Sequence, residues 1–149
     1  MKIEFSKAEY RTLLELLYLA EWMLTAHDDA PDPAKERHYL LCQKIYASAK
    51  AMGCDALIEN SKELRAFVPS AKLEEMDSLR DAIDAYNAET FWEELIERLI
   101  ERDMNALLPT LTKEPSTPEE YWTLASPIEE RYSTEFSTNG VRRLTIDGT

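Results

Sequence analysis

The sequence predicts an all-α or nearly all-α fold, a single domain over residues 1–149 built as a bundle of five to six helices around a central N-terminal helix. Three observations point there. The run from Ser6 to Ala26 is apolar over most of its circumference, so it has to be covered on several sides. Apolar residues then recur at helical spacing from Met76 to Met104. Polar–apolar alternation marks Lys2-Ile3-Glu4-Phe5 and Arg143-Leu144-Thr145-Ile146, two short strands expected to pair as an appendage from the termini, with Glu4 near Arg142 or Arg143.

The first helix opens on a capping box: the Ser6 hydroxyl takes the Glu9 amide while the Glu9 carboxylate returns to the Ser6 amide, with Phe5 and Tyr10 flanking it as a hydrophobic staple. Leu13 to Leu24 is 12 residues long and interrupted by Glu15 and Glu21. A membrane span needs about 20 apolar residues, so the run reads as a core helix. Glu15 and Glu21 lie about 120° apart on the helical wheel and are expected on the solvent-facing seam. After the acidic turn from His27 to Pro33, Asp32 and Pro33 read as N-cap and first position of a second helix running to Met52 and stopping at Gly53. Lys35, Arg37, Lys44 and Lys50 against Glu36 make it the one basic element, expected near acidic neighbours.

Residues 54–59 read as a helical turn with Leu57 and Ile58 inward, and 60–70 as a loop pinned by Leu64, Phe67 and Val68, since Val68 precedes Pro69. A third helix over 76–88 buries Met76, Leu79, Ile83 and Tyr86. Thr90 with Glu93 reads as a second capping box, opening a fourth helix whose stripe is Trp92, Leu95, Ile96, Leu99, Ile100 and Met104. Residues 109–118, with three prolines, read as a surface linker before a C-terminal helical extension. Thr117-Pro118 and Ser126-Pro127 each read as a helix start, giving helices over 119–125 and 127–138. Asn139-Gly140 fits a helix C-cap or a hairpin turn, and the spacing of Ile128, Tyr132 and Phe136 favours the helix.

A net charge of −12 sets the chain against a nucleic-acid backbone or an anionic membrane as a direct partner and toward a basic protein surface; a homodimer is compatible with it. Cys42 and Cys54 have neither the number nor the spacing of a disulfide framework or a zinc site, and Cys42 reads as a small buried hydrophobe. The first five residues lack the apolar core of a secretory signal, so a reducing cytoplasm is the expected setting.

Gly53, Gly140 and Gly148 are the only glycines and stand apart, so no phosphate cradle of the Walker, Rossmann or kinase type can be built. No G-x-S-x-G elbow and no H-E-x-x-H zinc helix occur. Asp28-Asp29-Ala30-Pro31-Asp32 is similar to the aspartate-rich motif of isoprenoid synthases, but Pro31 forbids the continuous helix that presents that motif. With its flanks, the stretch gathers His27, Asp28, Asp29, Asp32, Glu36 and His38 as candidate ligands for a hard divalent metal. Glu93-Glu94-Leu95-Ile96-Glu97 resembles the first half of the metal-binding signature of all-α nucleoside triphosphate pyrophosphatases. The second half, E-x-x-D on a following helix, is missing.

Between Glu74 and Asp103 eleven acids stand against Arg80, Arg98 and Arg102. The resulting expectation is a non-catalytic cytosolic interaction or accessory protein, binding a protein partner through the acidic third and fourth helices at Asp81, Asp84, Trp92, Glu93 and Glu97, with no cofactor. The rival expectation is an all-α metal-dependent nucleotide hydrolase. It would hold a divalent metal on Glu93, Glu94 and Glu97 with Asp81 or Asp84, His27, Asp28 and Asp32 being the other weak candidates.

Overall fold

The computed structural model describes residues 3–28, 30 and 32–145. Among them are five α-helices and one two-stranded antiparallel sheet: α1 (Lys7–Thr25), α2 (Glu36–Tyr46), β1 (Ile58–Ser61), β2 (Ala66–Pro69), α3 (Ala71–Glu74), α4 (Asp77–Leu107) and α5 (Pro118–Asn139). Single 3₁₀ turns occupy Pro33–Lys35 and Leu108–Thr110. The nearly all-α class therefore holds. No helix among the described residues is long and apolar enough to cross a membrane. The chain divides into two compact units, Met1–Asp84 and Ala85–Thr149, with the division falling within α4.

In the first unit α1 begins as its sequence dictates. Glu9 N–H donates to Ser6 Oγ at 3.3 Å and Ser6 N–H to Glu9 Oε2 at 2.8 Å, closing the capping box. The Ser6 hydroxyl, which donates to Glu9 Oε2 at 2.7 Å, and then the Ser6 amide hold the Glu9 carboxyl below its ordinary pKa. Tyr10 and Leu14 are the buried residues of α1, joining Cys42, Tyr46, Ala49, Leu57, Leu73 and Leu79 in one core. Leu13, Leu17, Tyr18, Leu19 and Trp22 are half-buried around that face, whereas Thr12, Leu16, Ala20 and Met23 form an exposed strip, Leu16 and Met23 at 60% and 57%, so the helix is covered over much of its circumference but not all of it. Aliphatic residues outside the core are ordinary on a folded surface, so an apolar circumference overstates burial.

α2 is shorter than its sequence pattern suggests. Asp32 Oδ1 accepts from Ala34 N–H at 2.9 Å and caps a 3₁₀ turn, α2 follows from Glu36, and beyond Tyr46 the chain continues as turns to Gly53. Gly53 sits at φ +72°, the left-handed conformation that ends such a segment. Leu57 and Ile58 are buried as expected. Residues 60–70 are not a loop but part of a hairpin pairing Ile58 with Pro69 and Ser61 with Ala66. Phe67 and Val68 are half-buried, but Leu64 at the turn is 67% exposed and pins nothing. Gln43 of α2 docks the hairpin, accepting from Phe67 N–H at 2.8 Å and donating to Phe67 O at 2.7 Å. The two-stranded appendage thus comes from mid-chain; residues 3–5 and 141–145 form no strand, and Lys2 and Ile146 lie outside the described residues.

α4 is continuous where two helices were expected. Asn87-Ala88-Glu89 contains no residue that breaks a helix, so the Thr90/Glu93 pattern falls inside one and caps nothing. In the first unit Leu79 is buried and Ile83 half-buried. Tyr86, in the second, is 48% exposed rather than buried.

The second unit is a helical hairpin. Ile100 and Met104 of α4 bury Ala125 of α5, with Ile96, Leu107, Tyr121, Leu124 and Ile128 packed around them. Thr117 caps α5 by accepting from Glu120 N–H, and Pro118 takes its first turn. Pro127 lies inside α5 rather than at the start of a new helix. The helix passes through it because Leu124, Ala125 and Ile128, on both sides of the proline, are all engaged with α4. α5 ends at Gly140, φ +56°, whose N–H donates to Phe136 O, so the C-cap reading of Asn139-Gly140 holds.

Candidate functional site

The acidic positions singled out in the sequence divide between the units. Asp81 and Asp84 belong to the first, where they are exposed and make no ion pair among the described residues. Trp92, Glu93, Glu94 and Glu97 belong to the second.

Here α4 presents Glu93, Glu97 and Glu101 at four-residue intervals, one ridge along a helix face, with Ile96 and Ile100 on the adjacent positions. α5 supplies the opposite wall through Tyr121, Trp122 and Glu129. Together they line a groove of about 610 Å³. None of its four carboxylates has a hydrogen bond or ion pair among the described residues, and no cationic side chain lines it. Trp122 is 53% exposed and stands edge-on to Tyr121, ring centroids 5.9 Å apart. A strip of unneutralised carboxylates over an apolar floor, with an exposed indole on the rim, suits a basic segment that also carries apolar side chains.

Trp92 has another place. Its ring packs on Phe136 at 5.4 Å and against Phe91 at 4.9 Å, leaving Phe91 rather than Trp92 exposed. Glu94 turns away from the ridge and pairs with Arg98 at 3.2 Å. Below the aromatic cluster the hairpin is locked by Asp103. Its Oδ2 accepts from Tyr132 Oη at 2.6 Å and from Arg131 at 2.5 Å, and its Oδ1 accepts from Arg102 at 2.8 Å. The Tyr132 hydroxyl, and then the two guanidiniums, hold the Asp103 carboxyl below its ordinary range. Arg102 and Arg131 are thereby occupied with Asp103 and Tyr132 and leave the groove acidic.

Among the described residues no three His, Cys, Asp or Glu side chains come close enough together to hold a metal ion. The Glu93, Glu94 and Glu97 set is divided between the ridge and the Arg98 pair. In the first unit, Asp28 binds Lys35 Nζ at 2.5 Å, Asp32 is the cap of the 3₁₀ turn, and His27 is exposed. Asp29 and Pro31 lie outside the described residues.

Glu93 and Glu97 are legible in the sequence, since their spacing places them on one ridge. Trp122 and Glu129 are not, because their place opposite that ridge depends on how α5 lies against α4. No protein-family model matches the chain, and no curated protein or solved structure is significantly similar to it.

Proposed function

We propose that the protein is a non-catalytic interaction module whose α4–α5 groove docks a basic, amphipathic segment of a partner protein. One observation carries the reading: four carboxylates, Glu93, Glu97, Glu101 and Glu129, unpaired among the described residues, flank an apolar floor beside the exposed Trp122. The carboxylates steer a basic partner and set its register. Ile96, Ile100 and Trp122 supply apolar area, and an aromatic anchor is the kind of residue that dominates interface energetics.

The test is titration with a lysine–leucine amphipathic helical peptide, followed by indole fluorescence and calorimetry, beside a scrambled peptide of identical composition. The patterned peptide is expected to bind saturably, and Glu97→Lys with Glu101→Lys to weaken it by at least about tenfold without changing the thermal midpoint. Reversal of Asp81 and Asp84, equally acidic but in the first unit, is expected to leave binding intact. Equal binding of the scrambled peptide, or equal loss on reversing Asp81 and Asp84, would reduce the interaction to bulk charge and refute the proposal.

A further inference from the structure

The first unit contains a cleft of about 830 Å³ lined by the end of α1, by Asp28, Ala30, Asp32 and Pro33, and by the start of α2. That volume lies in the range of small-ligand sites, which are mostly apolar with a few polar groups. Leu24, Pro33 and Tyr39 provide apolar and aromatic wall, and Glu21 and His38 face the same space.

Glu21 is the informative residue. It is half-buried, and the donor that reaches it, the Tyr46 hydroxyl from the core face of α2, is neutral. His38, Cys42 and Tyr46 follow one another at four-residue intervals, so the helix turns all three toward α1. No cation among the described residues neutralises Glu21. Lys35, the one ammonium among the described residues lining the cleft, is held by Asp28 and by the Leu24 carbonyl. His38 Nδ1 is buried without a hydrogen-bond partner, so the wall it belongs to is unsatisfied as it stands.

A partly desolvated carboxylate without a counter-charge, in a cleft that has an apolar and aromatic wall and is also lined by Asp32 and Glu36, selects for a cation that brings its own apolar body. We infer that this cleft binds a small organic cation, a primary amine carrying an aliphatic chain or ring, with its ammonium on Glu21 and its body along Leu24, Pro33 and Tyr39. The site is separate from the α4–α5 groove and stands whether or not that groove binds a peptide.

The experiment is a titration of the whole chain with three probes of one size, hexylamine, hexanol and hexanoate, mapped by backbone amide shifts. Hexylamine is expected to saturate, with shifts centred on Leu24, Thr25 and residues 35–39, while hexanol binds at least about tenfold more weakly and hexanoate not at all. Glu21→Gln, which keeps an acceptor for Tyr46 and removes the charge, is expected to weaken hexylamine about tenfold or more. Tyr39→Ala, at a 48% exposed position that the fold does not need, is expected to weaken it several-fold even if Glu21→Gln proves unstable. Hexanol binding as tightly as hexylamine, hexanoate binding more tightly, hexylamine shifts centred on Glu93 and Glu97 instead, or no saturation would each overturn the inference.

Discussion

Tyr46→Phe tests the contact on which the first unit turns. The Tyr46 side chain is 1% exposed and its hydroxyl donates to Glu21 Oε2, tying α2 to α1. Phenylalanine keeps the ring and its packing and leaves space for only one missing oxygen, so the cost is almost wholly that of the hydrogen bond. Hydrogen bonds to charged groups contribute about 1.5–3 kcal/mol, and Glu21 is half-buried, where water replaces the lost donor only in part; a loss of about 2 kcal/mol follows. Glu21→Gln keeps an acceptor and is expected to cost about 1 kcal/mol or less, and the double variant to show a coupling of about 1 kcal/mol, since the two residues share one bond. Because the chain has two units, the reading must be local: hydrogen exchange by mass spectrometry on peptides from α1 and α2, alongside urea unfolding. Protection there should fall by about 2 kcal/mol while peptides from α5 keep theirs. A Tyr46→Phe variant within about 0.5 kcal/mol of the parent, or additive double-variant losses, would show that water satisfies Glu21 equally well and would remove the basis for treating it as a held anion.

Burial, with the Glu21 carboxylate beside it, pushes the Cys42 thiol up to about 12, and the Tyr46 hydroxyl is raised for the same reasons. The unfolded chain therefore releases these protons first, and stability should fall above pH about 8.5 by about 1.4 kcal/mol per pH unit for Cys42 and more steeply once tyrosine titrates, as read from urea midpoints at pH 7, 9 and 10. Cys42→Ala should remove the first part of that fall, and a flat profile in the parent would contradict the burial of Cys42. Asp103 moves oppositely: its depressed carboxyl stabilises the second unit above the unfolded value of about 3.9, and that stability is lost as pH falls through the folded value. Asp103→Asn should flatten the acid limb of α5 protection, and an unchanged limb would mean that the Tyr132 and Arg131 bonds add nothing. Gly53→Ala should cost about 1 kcal/mol in thermal or urea unfolding through its positive φ, since an added Cβ would meet only the Lys7 side chain at ordinary contact distance; a stabilised variant would refute the assigned backbone.

Helix type was legible in the sequence wherever apolar spacing was long, and helix boundaries were legible only where a loop already supplied a break. Ser6-x-x-Glu9 and Thr90-x-x-Glu93 are the same signal. The first follows extended chain and forms both of its bonds, whereas the second sits within α4, where its amides already have helical partners and the threonine has nothing to cap. Thr117-Pro118 and Ser126-Pro127 differ in the same way. Residues 111–117 hold no helix, so Pro118 can open one, while Pro127 is carried through by packing that outweighs a lost backbone bond. The hairpin was hidden for another reason. Its strands are four residues long, its turn has no glycine although Arg65 takes φ +52°, and part of its support is the Gln43 amide, 24 residues away in sequence from Phe67.

The same distinction governs the two candidate sites. Each has a local half and a tertiary half, and only the local half is written in spacing: the Glu93, Glu97 and Glu101 ridge, or the His38, Cys42 and Tyr46 face of α2. The other half depends on which residue of a second helix lies opposite. Glu21 looked like a carboxylate on a solvent-facing seam because its own helix offers no reason to bury it. The reason is Tyr46, 25 residues on, and a single-sequence reading has no means of pairing them. A polar residue interrupting an apolar helix is thus ambiguous until its opposite is known. Here the opposite residue is a neutral hydroxyl, which satisfies the hydrogen bond and leaves the charge, and that leftover charge, rather than the burial itself, makes the cleft chemically selective.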